Sequence, residues 1–379
     1  AVIPDYSKEK LLIDADIKGP GKAVGPYFDE TPLKDSLGAT LQELQLDGDV
    51  NARLHLDIPL NGELVTAKGE VTLRNNSLFI KPLDSTLKNL SGKFSFINGD
   101  LQSEPLTASW FNQPLNVDFS TKEGAKAYQV AVNLNGNWQP AKTGVLPEAV
   151  NEALNGSVAW DGKVGIELPY HAGATYNVEL NGDLKNVSSH LPSPLAKPAG
   201  EPLPVNVKVD GNLNSFELTG QAGADNHFNS RWLLGQKLTL DRAIWAADSK
   251  TLPPLPEQSG VELNMPPMNG AEWLALFQKG AAESVGGAAS FPQHITLRTP
   301  MLSLGNQQWN NLSIVSQPTA NGTLVEAQGR EINATLAMRN NAPWLANIKY
   351  LYYNPSVAKT RGDSTPSSPF PTTERINFR

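Results

Sequence analysis

The chain has no cysteine, which excludes disulfides and thiolate metal sites. That fits either a reducing compartment or an envelope protein that manages without cross-links. No run approaches ~18 consecutive apolar residues, so no transmembrane helix is expected within these 379 residues. Positive charge is scarce: 31 Lys and Arg stand against 38 Asp and Glu, for a net charge of −7. This balance argues against a nucleic-acid partner held through its phosphates. Catalytic patterns are missing too. His55, His171, His190, His227 and His294 stand alone, without an H-E-x-x-H or an i,i+4 ligand pair. No G-x-S-x-G elbow, P-loop or G-x-G-x-x-G occurs. Asp47-Gly48-Asp49-Val50-Asn51 begins like a calcium loop, but Ala52 replaces the sixth-position glycine and Ile58 the twelfth-position glutamate, so it reads as a turn. Arg361-Gly362-Asp363 falls in a Ser/Thr/Pro-rich stretch and reads as linker. No enzyme activity, metal site or cofactor is expected.

What the chain does have is alternation. Leu54-His55-Leu56-Asp57-Ile58, Phe94-Ser95-Phe96, Leu106-Thr107-Ala108-Ser109-Trp110 and Val205-Asn206-Val207-Lys208-Val209 each switch between apolar and polar. A period of two puts all the apolar side chains of a strand on one face. Gly and Pro supply 60 of the 379 residues, about 16% against a background near ~12%, as many strand-to-strand turns require. The length exceeds the roughly 250–300 residues at which one compact core stops growing, so several domains or one elongated object are expected. The chain starts at Ala1 and ends in Arg375-Ile376-Asn377-Phe378-Arg379, like the opening of another strand, and reads as a segment of a longer protein.

The expected organisation runs as follows. Residues 1–45 hold a helix candidate, with Thr31 as cap, Pro32 at its first position and Leu33, Leu37, Leu41 and Leu44 on one face. Residues 46–145 and 146–268 are two β sections, 269–290 a helix and linker, 291–340 a third β section, and 341–379 a helix followed by linker. Asn61-Gly62, Asn98-Gly99 and Asn135-Gly136 are hairpin-turn signals. Pro147–Leu154 is a short helix candidate. Asn269–Glu283 is a better one, capped by Asn269, with Trp273, Leu274 and Phe277 on one face. Pro343–Tyr353 is another. Strands ending on Pro59, Pro169 and Pro266 form an echo that marks either repeated modules or simply how β-rich chains stop strands.

The positions that share the apolar faces are Leu54, Leu56, Ile58, Val71, Leu73, Phe94, Phe96, Leu106, Trp110, Val130, Val132, Val158, Trp160, Val178, Leu180, Val205, Val207, Leu238, Leu240, Ile295 and Leu297. Periodicity alone does not separate an open apolar groove from a dry sandwich core. The tryptophans read as core fillers with one polar end.

Two segments tip that choice. Asn186-Val187-Ser188-Ser189-His190-Leu191-Pro192-Ser193-Pro194-Leu195-Ala196-Lys197-Pro198 and Gly260-Val261-Glu262-Leu263-Asn264-Met265-Pro266, followed by Trp273-Leu274-Ala275-Leu276, resemble the YhdP branch of the AsmA-like proteins of Gram-negative envelopes. Leu90-Ser91-Gly92-Lys93-Phe94-Ser95-Phe96 and Trp110-Phe111-Asn112-Gln113-Pro114-Leu115 fit the same pattern, and the resemblance runs over roughly residues 30 to 355. It implies a mainly β fold, an elongated, curved antiparallel sheet forming an open apolar groove similar to bridge-like lipid transfer proteins, with a few short helices. It implies phospholipids as transported ligand and partner, an inner-membrane anchor outside this segment, a periplasmic location and a link to the outer membrane. No catalytic residues carry over. The alternative is a periplasmic scaffold that captures outer-membrane assembly partners at a sheet edge and carries no lipid.

Overall fold

A computed structural model describes residues 10–23, 44–61, 64–81, 84–281 and 289–355. The 31–44 helix candidate, the linker and the C-terminal strand opening lie outside them, except that Leu44 begins a strand. The chain divides into two compact units: Ala1–Leu146 with Gly156–Leu184 and Lys208–Leu213, and Pro147–Asn155 with Lys185–Val207 and Asn214–Arg379.

The first unit is a β-sheet built from β1 (Lys10–Pro20), β2 (Leu44–Asp47), β3 (Asp49–Pro59), β4 (Thr66–Ile80), β5 (Ser85–Ile97), β6 (Asp100–Ser103), β7 (Leu106–Trp110), β8 (Gln113–Glu123) and β9 (Ala127–Trp138). After β10 (Leu154–Gly156), which pairs elsewhere, come β11 (Val158–Pro169) and β12 (Thr175–Asp183). All the recorded pairings of this unit are antiparallel: β1 with β3, β3 with β4, β4 with β2 and β5, β5 with β6 and β7, both of these with β8, and then β8, β9, β11 and β12 in succession. Asn98-Gly99 closes the β5–β6 hairpin, with Asn98 at φ 52. Asp47-Gly48-Asp49 is the turn between β2 and β3.

Asn135-Gly136 is not a turn. Both residues lie inside β9, held by β8 on one side and β11 on the other. The glycine is there for room: a Cβ at Gly136 would meet Trp138 Nε1 at 2.8 Å and the Pro114 carbonyl at 3.1 Å. Two ladders of hydrogen bonds outweigh the local preference for a turn.

β4 and β5 are long because they bend. Their register shifts at Leu73/Asn76 and Asn76/Leu78, and Asn75, Asn89 and Gly92 take positive φ. Such irregularities kink a strand and leave backbone groups unpaired. Asn76, with 0% of its surface exposed, satisfies them. Its Oδ1 accepts from the Arg74 N–H at 2.8 Å, and its Nδ2 donates to the carbonyls of Asp47 at 3.0 Å and Asp49 at 3.1 Å. The bend gathers Val50, Leu73, Leu87, Leu90, Leu106, Ala108, Leu115 and Val117 into a buried cluster. Trp110, Phe111, Trp138 and Trp160 stack beside it with centroid distances of 4.8 to 6.4 Å. The Trp110 indole donates to Ser85 Oγ, and the Trp138 indole to the Pro114 carbonyl, each at 2.7 Å.

In the second unit, β15 (Ser215–Ala222), β16 (Asn226–Leu233) and β17 (Leu238–Ala247) pair antiparallel. The direction then changes. β18 (Gly260–Asn264) lies parallel to β17, and β21 (Ile295–Leu304) parallel to β18. Two short strands, β19 (Met268–Asn269) and β20 (Ala289–Ser290), also join in parallel, to β21 and β17. An antiparallel meander follows, from β21 through β22 (Gln307–Thr319), β23 (Gly322–Gln328) and β24 (Ile332–Arg339) to β25 (Leu345–Leu351). The sheet is thus mainly β as expected but not wholly antiparallel, because β18 and β21 are reached by crossovers rather than hairpins.

Two helices belong to this unit: α1 (Glu148–Asn151), one turn long, and α2 (Gly270–Ala281). Asn269 caps α2, its Oδ1 accepting from the Ala271 N–H at 3.1 Å. β10 and β13 (Val187–Ser189) form a separate two-stranded ribbon. The expected helix over Pro343–Tyr353 is instead β25, whose Ala346 and Ile348 align with Leu336 and Ala334. A short apolar run suits either state, and the edge of β24 recruits it as a strand.

Candidate functional site

Cross-strand partners in a sheet point to the same face, so the register shows which side chains share a surface. In the first unit the rows are apolar across strand after strand. Ala15, Leu54, Gly69, Phe96 and Leu101 form one row, and Ile17, Ala52, Val71 and Phe94 the next. Ile13 with Leu56, and Leu11 with Ile58, extend the face towards the strand ends. Beyond the bend the rows resume as Phe119–Val132–Val164–Val178, Val130–Ile166–Tyr176 and Leu134–Gly162–Leu180. Trp160 and Val158 sit opposite Gly136 and Trp138. The rings of Phe94 and Phe119, 5.6 Å apart, join the two sets of rows. Glycines keep the face low: a Cβ at Gly69 would lie 2.8 Å from the Phe96 ring, which therefore rests flat on the strand.

The opposite face of the same strands is charged and wet. Lys10 pairs with Asp57 at 3.3 Å, His55 Nδ1 with Asp14 at 2.6 Å, and Lys93 with Glu70 at 2.9 Å. His55 is thus on the polar side of its strand, as its place in the alternation requires. A hollow of about 380 Å³, lined in part by Lys122, Gln129, Ala131, Gly165, Glu167 and Thr175, lies on this polar side.

The second unit carries apolar rows of the same kind. Phe228, Trp245, Leu263, Leu297, Ile314, Ala327, Ala334 and Ile348 form one row across eight strands, starting opposite Gly220. Val261, Ile295, Ser316, Val325, Leu336 and Ala346 form the adjacent one. The Phe216 and Trp232 rings stack 6.0 Å apart at its β15–β16 end.

The alternating residues therefore divide by burial. Leu54, Leu56, Ile58, Val71, Phe94, Phe96, Trp110, Val130, Val132, Val158, Trp160, Val178 and Leu180 are half-buried on the first unit's face. Leu73 and Leu106, at 4% and 2% exposure, are sealed in the cluster at the bend. In the second unit Leu238 and Leu297 are half-buried, Ile295 is exposed, and Leu240 is buried at 7% exposure. Val205 and Val207, half-buried, alternate in β14 (Pro204–Asn212). Leu73, Leu106 and Leu240 are thus core residues: burial removes them from any ligand's reach. Sequence reasoning passed over Ile13, Phe119, Ile166, Trp245, Leu263 and Ile314, which complete the rows. Their signal was present, since all but Ile13 fall within the expected β sections.

α2 carries Trp273, Leu274 and Phe277, the residues expected on one apolar face. Trp273 packs with Trp245, Leu263, Leu297 and Leu302 against the buried Ala247, Met265 and Met268. Leu274 does not join it; at 46% exposure it faces solvent. The side chain of Phe277 lies outside the described residues.

The family model described as YhdP protein matches residues 1–377. A curated protein of Escherichia coli (strain K12), named intermembrane phospholipid transporter YhdP, is 99% identical over 379 residues, which is 100% of this chain and 30% of that relative. No solved structure matches. A family match over 377 residues, on a chain whose β-strands carry the apolar alternation throughout both units, places it in the YhdP family.

Proposed function

We propose that this chain is a section of an intermembrane phospholipid transporter and that its apolar β-faces shield acyl chains. One observation carries the reading: within each unit, register-aligned apolar rows span many strands yet stay half-buried or exposed, neither sealed as a core nor broken by charge. A phospholipid with two chains has about thirty methylenes, each worth about 0.8 kcal/mol, so crossing water unaided faces a barrier on the order of 20 kcal/mol. A continuous apolar surface removes most of it without ATP or a catalytic group. The related transporter's name supports the ligand class. In this reading the phospholipid is cargo, the chain works in the periplasm of a Gram-negative cell, and parts of the longer protein hold the inner membrane and approach outer-membrane components. No cofactor is needed.

The test is native mass spectrometry with lipid extraction on the chain purified gently from a Gram-negative host. Stoichiometric co-purifying phospholipid is the expected result. A lipid-free, stable, monodisperse protein would overturn the reading in favour of a scaffold.

A further inference from the structure

The second unit's apolar face is partly covered by its own chain. α2 lies in the connection between the parallel strands β18 and β21, and its Trp273 joins Trp245, Leu263, Leu297 and Leu302 around the buried Ala247, Met265 and Met268. The Trp245 and Trp273 rings meet edge to face at 6.5 Å. Trp245, Leu263 and Leu297 belong to the long row that runs on to Ile314, Ala327, Ala334 and Ile348. Trp273 therefore occupies ground that is continuous with uncovered apolar surface on the β22 side.

Polar ties at its margin contribute to holding the helix there. The Trp273 indole donates to the Ser193 carbonyl at 3.0 Å. Lys279 pairs with Glu152, just after α1, and both side chains are about half exposed. Glu272, Leu274, Ala275 and Gln278 face solvent. An exposed ion pair contributes little.

We propose that the surface beneath α2, floored by Trp245, Leu263, Leu297 and Leu302, is an acyl-chain site for which Trp273 is the built-in competitor. Phospholipid acyl chain and Trp273 exclude one another; the helix lifts about its Asn269 end when lipid advances along the row and returns when the row empties. The selectivity follows from shape. A straight hydrocarbon chain can follow the row under a raised helix, whereas the headgroup stays at the margin. This inference rests on the acyl-shielding reading above.

The cysteine-free chain permits a direct test. Glu152→Cys and Lys279→Cys are introduced together and joined by a short bismaleimide, which clamps α2 down. The chain, clamped or unclamped, is incubated with vesicles of phosphatidylethanolamine and phosphatidylglycerol containing a phospholipid with a photoreactive acyl chain. Labelled peptides are then mapped. The expected result is a drop of tenfold or more in labelling of the peptide around Leu297 on clamping, with the peptide around Leu54 unchanged. Equal labelling at Leu297 in both forms refutes the competitor. Labelling at Leu54 but never at Leu297 refutes the site beneath α2 while leaving the acyl-shielding reading in place. No labelling at either peptide sinks that reading itself. Trp273→Ala, without the clamp, should raise Leu297 labelling several-fold; a decrease would count against the competitor.

Discussion

Replacing Asn76 by leucine should loosen the bend of the first unit and little else. The side chain is fully buried and makes three hydrogen bonds to backbone groups that the bulged ladder leaves over. Leucine has the same branched skeleton but no polar atom, so the Arg74 N–H and the carbonyls of Asp47 and Asp49 lose their partners together. An orphaned buried group costs about 1–3 kcal/mol. Asp47, Asp49 and Arg74 are themselves exposed residues, so water can reach part of this site and the low end applies. The sum is roughly 3 kcal/mol, which corresponds to about a 100-fold faster exchange where global or sub-global opening governs it. The assay is native-state hydrogen exchange by mass spectrometry. Peptides covering Val50–Leu73 and Leu87–Leu90 should lose protection, while peptides from β22 to β24 act as the internal reference. Asn76→Asp should be worse at neutral pH, since it aims a carboxylate at two carbonyl oxygens, and should recover partly in acid. Protection within about threefold of the unmodified chain for both variants would refute the claim that Asn76 holds the bend.

Three further outcomes are expected. Tyr128 is buried, its hydroxyl donating to the Gly99 carbonyl and lying 2.7 Å from Thr121 Oγ1, and burial pushes its pKa up to about 12. Its contribution to stability is complete below the ordinary tyrosine value near ~10 and is lost as pH rises through about 12; a phenolate absorbance titration against Tyr128→Phe that shows this group ionising with exposed tyrosines would contradict it. Burial raises the pKa of Glu331, but hydrogen bonds from the Asn310 N–H and from the Asn310 and Asn354 side chains outweigh it and leave the carboxyl below its usual range. The stabilisation is therefore present above the ordinary carboxylate range and disappears as pH falls through the lowered value, so Glu331→Gln should flatten the acid limb of second-unit unfolding, and an unchanged limb counts against this. Phe96→Asp places a charge in the first unit's face at a position where one strand spacing of ~4.8 Å spans about four methylenes, a loss of roughly 3 kcal/mol per chain; lipid co-purification should fall about 100-fold there, and undiminished lipid would show that this face carries none.

The alternation made the faces legible from the sequence. Leu54, Leu56 and Ile58 do share a side, and His55 and Asp57 share the other. The strand at Leu106–Trp110 is found with the same limits. What stayed hidden depends on partners distant in the chain. Whether Leu54 is half-exposed or Leu106 sealed is decided by the bend at Asn76, and an asparagine beside Asn75 looks like an ordinary turn residue. Asn135-Gly136 carries a genuine turn signal that two neighbouring strands overrule. A Cβ at Gly220 would meet the Phe228 ring at 1.9 Å, so this glycine is dictated by an aromatic eight residues away. Trp273 was legible as half of a contact; its floor was not, because Trp245, Leu263 and Leu297 come from three separate strands.

The change from antiparallel to parallel pairing at β17, β18 and β21 also sets an order of events during folding. Hairpins form from neighbours in sequence, so β3 to β5 of the first unit and the β21–β25 meander can zip up locally. β18 and β21 align Val261 with Ile295, thirty-four residues apart, and no turn can bring them together. Closing that loop is entropically costly before any contact compensates, and it makes parallel pairing slow. The β18–β21 ladder is thus a seam of the second unit, a late join in folding and a place where a partly folded chain offers unpaired edges to its neighbours.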